Sequence, residues 1–328
     1  MPSLRQLRSL KPAYYPNQAI YAEFAALSFG LAFDIRERDG LAFAVASQTR
    51  QIVFGGGRGS YFPQNNATSA TLAADKYLSA IVMDSVGVPT LGGAYFFLDE
   101  RYRAHRAPGH ERADAVACFH ALGSKAFVKP LTGSRGDFAQ AICDEAALRN
   151  YLDDIARHYD SIIMQEIFEG DEYRVVVLDD AVLYSARKRP PFLVGDGTST
   201  VRDLLRARDA LLAAHGISGV GSHDDLDVVL PLGERWILPG RMNRSVGGDM
   251  LFADPPTGAA ELAIKAVQAL GLRAAGVDLF TGLEGGKPIR VIEINANPSI
   301  RFLEDSGRED LILAIWRHTF TAMGLLDV

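Results

Sequence analysis

Cysteine is scarce in this 328-residue sequence, since Cys118 and Cys143 are the only two. A disulfide framework or a cysteine-rich zinc cluster needs more thiols at closer spacing, so both are excluded. So few thiols in a chain of this length are typical of a reducing compartment, and we expect a cytoplasmic protein. The seven histidines show no metal or catalytic spacing, and we expect surface or core positions for them.

Positive charge is also in deficit. The chain has 34 lysines and arginines against 40 aspartates and glutamates, which gives a formal net charge of −6. This balance disfavours a nucleic-acid-binding surface. No stretch reaches the ~20 apolar residues that a membrane-spanning helix needs, and the first ten residues lack the apolar core of a signal peptide. We therefore expect neither nucleic acid nor membrane among the partners.

The length predicts more than one hydrophobic core, because single cores rarely grow beyond ~250–300 residues. Helical and strand patterns alternate without an internal repeat, which favours an α+β or α/β fold. One helix is predicted over 68–87, with Thr68 or Ser69 as its N-cap. We divide the chain into a short N-terminal α/β lobe (1–65), a connecting helical segment (66–125), a small lobe with a glycine loop (126–190) and a C-terminal lobe (191–328).

The strongest chemical signal is a β-hairpin predicted over 275–295. A turn centred between residues 285 and 286 would place Asp278 opposite Glu293. Asn295 would share the face of Glu293, because residues two apart on a strand point the same way. Two carboxylates and an amide oxygen on one face are the hard ligands that Mg²⁺ prefers. A surface hairpin with ordinary alternating polarity is the alternative.

A second signal is Lys129 at the end of a predicted strand, followed by the small flexible loop 132–136. Glycines in such a loop let backbone N–H groups approach phosphate oxygens. The lysine precedes the glycines, which excludes a P-loop. Residue 60 is serine, so the glycines at 55–59 do not complete a dinucleotide-binding fingerprint. Taken alone, the loop is equally compatible with a plain surface turn.

Three further segments offer groups for a nucleotide. The connector 165–174 could receive an adenine, and its Glu172 could accept hydrogen bonds from ribose hydroxyls. The basic cluster 185–190 could compensate phosphate or acyl-phosphate charge. Asn243 opens a glycine-containing segment suited to closing over phosphate. A solvated acidic connector and a solvated basic edge are the alternatives for the first two.

The order of these segments resembles the ATP-grasp superfamily. It runs through Asp75-Lys76, Val128-Lys129-Pro130 with its glycine loop, Gln165-Glu166 with Glu172, Asp278, and Glu293-x-Asn295. The sequence looks most like the ATP-grasp modules of cyanophycin synthetase and bifunctional glutathione synthetase. The resemblance covers roughly residues 65–305 and implies an ATP-grasp fold, in which two α+β lobes clasp ATP.

The resemblance also implies a role for each matching position. For the phosphates, the implied contacts are Lys76 and Lys129 at the α- and β-phosphates, Thr132, Gly133, Ser134 and Gly136 in the loop over them, and Arg187 and Arg174 at the γ-phosphate or acyl phosphate, with Asn243 in the closing segment. For the nucleoside, they are Gln165 or Glu166 at the adenine amino group, the backbone near Ile167 and Phe168 at the rest of the base, and Glu172 at the ribose. Asp278, Glu293 and Asn295 would bind two Mg²⁺ ions, for which Mn²⁺ could substitute.

The implied activity is ATP-dependent joining of a carboxylate and an amine, such as amino acids or short peptides, through an acyl phosphate. A kinase of the same fold and a non-catalytic nucleotide-binding protein are the alternatives. The first 65 residues match less well than the rest, so the substrates of the resembling enzymes do not transfer. Homodimers or homotetramers are usual in the resembling families, and we expect one of them here.

Overall fold

The computed structural model describes residues 2–56, 60–133, 136–214, 226–238, 248–282 and 288–327. Within these residues, antiparallel sheets of three, four and five strands and a separate two-stranded sheet combine with helices, in the mixed class predicted from the sequence. None of the helices described is long and apolar enough to cross a membrane.

The N-terminal residues form two helices and a three-stranded sheet. The elements are α1 (Leu4–Ser9), α2 (Asn17–Ser28), β1 (Ala32–Ile35), β2 (Ala42–Ala46) and β3 (Gln51–Gly55). On the buried face of the sheet, the rings of Phe43 and Phe54 stack at 5.3 Å between centroids. Both rings also contact Trp316 of the C-terminal helix α10 (Glu309–Ala322). The beginning and the end of the chain therefore share one core.

Two helices stand where the sequence predicts one. They are α3 (Ala67–Ala74) and α4 (Lys76–Ser85). Asp75 separates them, because its backbone is extended and its carboxylate accepts hydrogen bonds from the first free N–H groups of α4. Asn66 caps α3 by accepting a hydrogen bond from the Ser69 N–H, so the predicted cap at Thr68 or Ser69 is wrong.

The four-stranded sheet comes from the middle of the chain. Its elements are β4 (Ala94–Phe97), α5 (Arg112–Ala121), β5 (Ala126–Pro130), β6 (Gln140–Ile142), α6 (Glu145–Ile155) and β7 (Ser161–Gln165), with a 3₁₀ turn at Arg103–His105. The strand order is β4-β7-β5-β6. Val128 and Met164 pack against the apolar sides of α5 and α6. Because side chains alternate along a strand, Lys129 and Gln165 project from the opposite face.

The five-stranded sheet carries the predicted hairpin. Its strands are β8 (Asp171–Leu178), β9 (Ala181–Arg189), β12 (Asp249–Phe252), β13 (Ala274–Thr281) and β14 (Arg290–Asn295). Their order is β12-β9-β8-β13-β14. Val175 and Val277 on one face pack against α8 (Ala259–Ala269). Val176 and Tyr184 on the other face join the core shared by the N-terminal lobe, α9 (Arg301–Asp305) and α10.

A small unit lies between β9 and β12 in the chain. It consists of β10 (Phe192–Val194), α7 (Val201–Ala214) and β11 (Arg235–Ile237), where β10 and β11 pair antiparallel. Val201, Leu230 and Leu238 are buried in its own apolar cluster. The unit is thus an insertion into the five-stranded sheet with a separate core.

The sheets divide the chain differently from the expected segments. β4 and α5 come from the expected connecting segment 66–125, yet β4 pairs with β7 in the four-stranded sheet. β8 and β9 fall in the expected small lobe 126–190, yet β8 pairs with β13 of the C-terminal segment. Strand periodicity fixes which faces are apolar but does not identify the neighbouring strand, so a distant partner cannot be inferred from the pattern.

Replacing Trp316 by alanine should leave a cavity between the N-terminal sheet and α10. We expect a loss of about 4 kcal/mol in the free energy of unfolding. Trp316→Phe keeps an aromatic ring and removes a buried indole N–H that has no hydrogen-bond partner among the described residues, so we expect a loss of about 1 kcal/mol. Urea unfolding followed by circular dichroism measures both, and equal losses would contradict this packing.

Candidate active site

A cavity of about 160 Å³ lies between the four-stranded sheet, on its face opposite α5 and α6, and the β8–β13–β14 part of the five-stranded sheet. Its walls bring together described residues from seven separate segments of the chain. The predicted site residues in these walls are Lys76, Lys129, Gly133, Gly136, Gln165, Glu166, Ile167, Phe168, Glu172, Asp278 and Glu293.

The predicted register of the hairpin is confirmed at its chemically important end. Asp278 on β13 lies directly opposite Glu293 on β14, and Asn295 lies opposite Gly276. The pairing shifts by one residue after Asp278, because Ile292 is an extra residue in β14. Ile292 lines the cavity, which the sequence did not indicate. The predicted turn at 285–286 lies outside the described residues.

Asp278 is almost completely buried, with 2% of its surface exposed. Arg174 on β8 donates two hydrogen bonds to the carboxylate, from Nε to Oδ1 at 2.8 Å and from Nη2 to Oδ2 at 2.7 Å. Lys188 on β9 donates a third, from Nζ to Oδ2 at 2.8 Å. Burial alone would raise the pKa of Asp278, but the two cations outweigh it and lower the pKa to about 2. Asp278 is therefore an anion at neutral pH.

Lys188 is the main functional candidate that the sequence did not reveal. Its side chain lines the cavity and bridges Asp278 and Glu172. Burial would lower the pKa of Lys188, but the carboxylates of Asp278 and Glu172 raise it, so the ammonium stays charged. The neighbouring Arg187, predicted near the γ-phosphate, points to the opposite face of β9 and pairs with Asp171 at the surface. Strand alternation could have identified Lys188 from the sequence, because it places Lys188 on the same face as Tyr184 and Ala186, which are buried, and Arg187 on the other face.

Arg174, also predicted near the γ-phosphate, lies in the ion-pair network but is not part of the cavity wall. Its guanidinium donates to Asp278 from both Nε and Nη2. Arg174 thus acts on the cavity indirectly, by holding the carboxylate of Asp278, which lines it.

Two more lysines approach the same space, Lys129 from β5 of the four-stranded sheet and Lys76 from α4, which packs against β14 and α8. Lys76, at the start of α4, donates hydrogen bonds from Nζ to the carbonyls of Gly133 at 2.9 Å and Leu131 at 3.3 Å. Burial lowers the pKa values of Lys76 and Lys129, and the negative charge of Glu293 opposes this effect in both. Burial would in turn raise the pKa of Glu293, but Lys129 and Lys76 lower it. The two lobes are thus linked electrostatically across the cavity.

The glycine loop after Lys129 borders this space. Gly133 and Gly136 line the cavity, whereas Thr132 does not, and Ser134 lies outside the described residues. A Cβ atom at residue 133 would meet the Pro130 side chain at 2.9 Å, so only glycine fits without a shift. Asn243 of the predicted closing segment also lies outside the described residues.

The connector after β7 forms an apolar slot with one polar wall. The rings of Phe168 and Phe280 lie 5.3 Å apart, and Ile167 lines the same cavity. Gln165 is buried and donates a hydrogen bond from Nε2 to the Gly92 carbonyl at 2.6 Å. Its Oε1 has no hydrogen-bond partner among the described residues. Glu166 also borders the cavity, but its side chain is exposed.

The oxygen ligands predicted for a metal are two carboxylates and one amide. Asn295 turns its amide nitrogen toward Glu293, with 3.4 Å between Nδ2 and Oε1. Within the described parts of the chain, no group of three or more histidine, cysteine, aspartate or glutamate side chains has the arrangement of a metal site. The candidate set therefore rests on Asp278 and Glu293 with an amide oxygen, which suits a hard cation that keeps part of its water shell.

Comparison with known proteins gives a consistent picture. The glutathione biosynthesis bifunctional protein of Streptococcus mutans is 29% identical over 276 residues, which cover 74% of this chain and 34% of that protein. Cyanophycin synthetase of Synechocystis is 26% identical over 259 residues, covering 70% of this chain and 28% of that protein. The chain thus spans about a third of the length of these relatives. No protein-family model matches it.

The crystal structure of a bifunctional glutathione synthetase from Pasteurella multocida has the same fold. It superposes with a TM-score of 0.53 and 17% sequence identity, over 93% of this chain and 45% of that one. The two-lobed fold, the cavity between the lobes and the sequence similarities agree: the chain has an ATP-grasp fold and is similar in sequence to the two relatives above.

Proposed function

We propose that the chain is an ATP-dependent carboxylate–amine ligase, which forms an amide bond through an acyl phosphate. One observation carries this proposal: three lysines, Lys76, Lys129 and Lys188, converge with the carboxylates of Asp278 and Glu293 on one cavity between two lobes. The similarity to proteins named for glutathione biosynthesis and cyanophycin synthesis supports an amide-forming reaction.

ATP would lie in the cavity with its base in the apolar slot. We propose that Gln165, rather than the exposed Glu166, accepts a hydrogen bond from the adenine amino group, because Gln165 lines the cavity and its buried Oε1 lacks a partner among the described residues. The backbone at 167–168 would bind the rest of the base, and Glu172 the ribose hydroxyls. Lys76 and Lys129 would bind the α- and β-phosphates, with the 132–136 loop covering them.

Asp278, Glu293 and Asn295 would hold two Mg²⁺ ions, or Mn²⁺ in their place. The donor set fits, because all three side chains offer hard oxygen ligands on one face of adjacent strands. Bound there, the metal would neutralise phosphate charge and orient the γ-phosphate. Arg174 and Lys188 keep the Asp278 carboxylate ionised and fixed in direction, so it is preorganised for a cation.

The chemistry requires positioning and charge compensation more than a nucleophilic side chain. A carboxylate is a poor electrophile, and it becomes reactive toward an amine once it carries a phosphoryl group. Negative charge then accumulates where the two substrates and the γ-phosphate meet. We propose that Lys188 stabilises this charge, in the role that the sequence suggests for Arg187, because Lys188 is the cation of the basic cluster that lines the cavity.

The substrates would be amino acids or short peptides, and the N-terminal lobe would lie on their side of the site. The match to this lobe is weak, so it does not identify the acid or the amine. We also propose a cytoplasmic location, consistent with the two free cysteines, and a homodimer or homotetramer.

The central test is ADP release from the purified protein with Mg²⁺, ATP and a panel of amino acids and dipeptides, followed by product mass. We expect release to require both an acid and an amine, and the product to weigh their sum less one water. Asp278→Asn keeps the side-chain shape but removes the charge, and we expect at least a 100-fold drop in ADP release, on the order of the loss when one electrostatic contact is removed.

Asp249→Asn is the matched control. Asp249 lies on β12, at the opposite edge of the same sheet, and pairs with Arg189 at the end of β9. Its replacement should leave the rate within about twofold. A phosphorylated product would establish a kinase instead. Nucleotide binding without turnover of any substrate pair would establish a non-catalytic protein.

Lys188 and Arg187 provide a second test, because adjacent cations occupy opposite faces of one strand. We expect Lys188→Met to lower ADP release by about 100-fold and Arg187→Met by less than about threefold. Lys188→Arg keeps the positive charge and should restore part of the rate. Steady-state kinetics of the three variants, each checked for folding by circular dichroism, decide between the two residues. A large loss in Arg187→Met with a normal rate in Lys188→Met would reverse the assignment.

A further inference from the structure

A single amide side chain joins the two strands that carry the candidate metal ligands. Asn65 is the last residue of the N-terminal lobe (1–65) and is buried. Its Nδ2 donates hydrogen bonds to the carbonyls of Ala274 at 2.8 Å and Ala296 at 3.0 Å. Its Oδ1 accepts hydrogen bonds from the backbone N–H groups of Arg273 at 2.8 Å and Ala274 at 3.0 Å. One side chain thus contacts the start of β13 and the end of β14.

These four bonds use the full hydrogen-bonding capacity of the amide. A primary amide has two N–H donors and two lone pairs on its oxygen. All are directed at backbone groups, so a shift of either strand relative to the other would break at least one bond in a buried place. No other side chain of similar size presents two donors and two acceptors in this way: aspartate has no donor, and leucine has neither.

The contact lies next to the candidate ligands. Ala296 directly follows Asn295, and Ala274 begins the strand that carries Asp278. β14 is the last strand of its sheet, and its outer side forms an isolated bridge between Val291 and Thr90, four residues before Asn295. The end of such a strand has few backbone bonds to fix it, because the groups on its outer side lack a neighbouring strand.

The N-terminal lobe reinforces this hold on the segment after Asn295. Ser60 donates a hydrogen bond from Oγ to the same Ala296 carbonyl at 3.1 Å. Gln18, at the start of α2, donates one from Nε2 to the Pro298 carbonyl at 3.0 Å. Three side chains from the first 65 residues therefore donate hydrogen bonds to carbonyl groups within three residues of Asn295.

We propose that Asn65 is a positioning residue for the metal site, with Ser60 as its support. It acts through the backbone: by fixing Ala274 relative to Ala296, it sets the separation of Asp278 from Glu293 and Asn295. This inference rests on the proposed function, since it concerns the metal ligands of that site. It gives the poorly matching N-terminal residues a role in the chemistry besides substrate binding.

The test compares Asn65→Ala with Asn66→Ala. Asn66 has the same side chain at the next position, but it only caps α3, so its loss weakens folding without touching β13 or β14. Mn²⁺ binding in the presence of a non-hydrolysable ATP analogue is measured by electron paramagnetic resonance, at a temperature where both variants are folded. We expect Asn65→Ala to raise the half-saturating Mn²⁺ concentration at least tenfold, and Asn66→Ala to leave it unchanged.

Ser60→Ala keeps the proposal testable if Asn65→Ala does not fold. It removes one of the two donors to the Ala296 carbonyl and should raise the half-saturating Mn²⁺ concentration about threefold. Unchanged Mn²⁺ binding in Asn65→Ala, or in Ser60→Ala where the first variant is unfolded, would overturn the positioning role. An unmodified protein that binds no Mn²⁺ with the analogue would instead overturn the proposed metal site itself.

Discussion

The ion-pair network around Asp278 is the interaction on which the rest of the site depends. Transferring a carboxylate from water to a protein interior costs several kcal/mol unless opposite charges and hydrogen bonds offset it. Arg174 and Lys188 supply three N–H donors, and each of the three residues lies on a different strand. The charge balance is therefore maintained only while β8, β9 and β13 keep their order and register.

The same register determines where the remaining charges lie. Neighbouring strands are separated by roughly 4.8 Å, so the row from β9 through β8 and β13 to β14 spans about three such steps. Glu293 ends this row, where Lys129 of the facing four-stranded sheet and Lys76 at the start of α4 lower its pKa. The carboxylate of Glu293 and the ammonium of Lys129 therefore attract each other across the cavity and favour the contact between the two sheets.

The sequence was sufficient where periodicity and local spacing carry the information. Asp278, Glu293 and Asn295 were placed on one face because strand side chains alternate, and the pairing agrees. Residue type without strand phase is insufficient at 185–190, because it does not distinguish the exposed Arg187 from the buried Lys188 beside it. Asn65 gave no local signal at all, since its partners are more than 200 positions away in the chain. Long-range pairing also decided that β8 and β9 belong with β13.

The short N-terminal lobe shares its core with the rest of the chain. Its aromatic residues pack on Trp316 of α10 and share a core with Val176 and Tyr184 of the five-stranded sheet. A segment of this size would be only marginally stable by itself, because it would bury just ~60% of the surface that its unfolded chain exposes. Because the lobe and the five-stranded sheet share a core, side chains on the inner surface of the lobe can hold backbone groups beside Asn295. The inner side of the lobe is thereby constrained by the backbone geometry beside the proposed metal ligands.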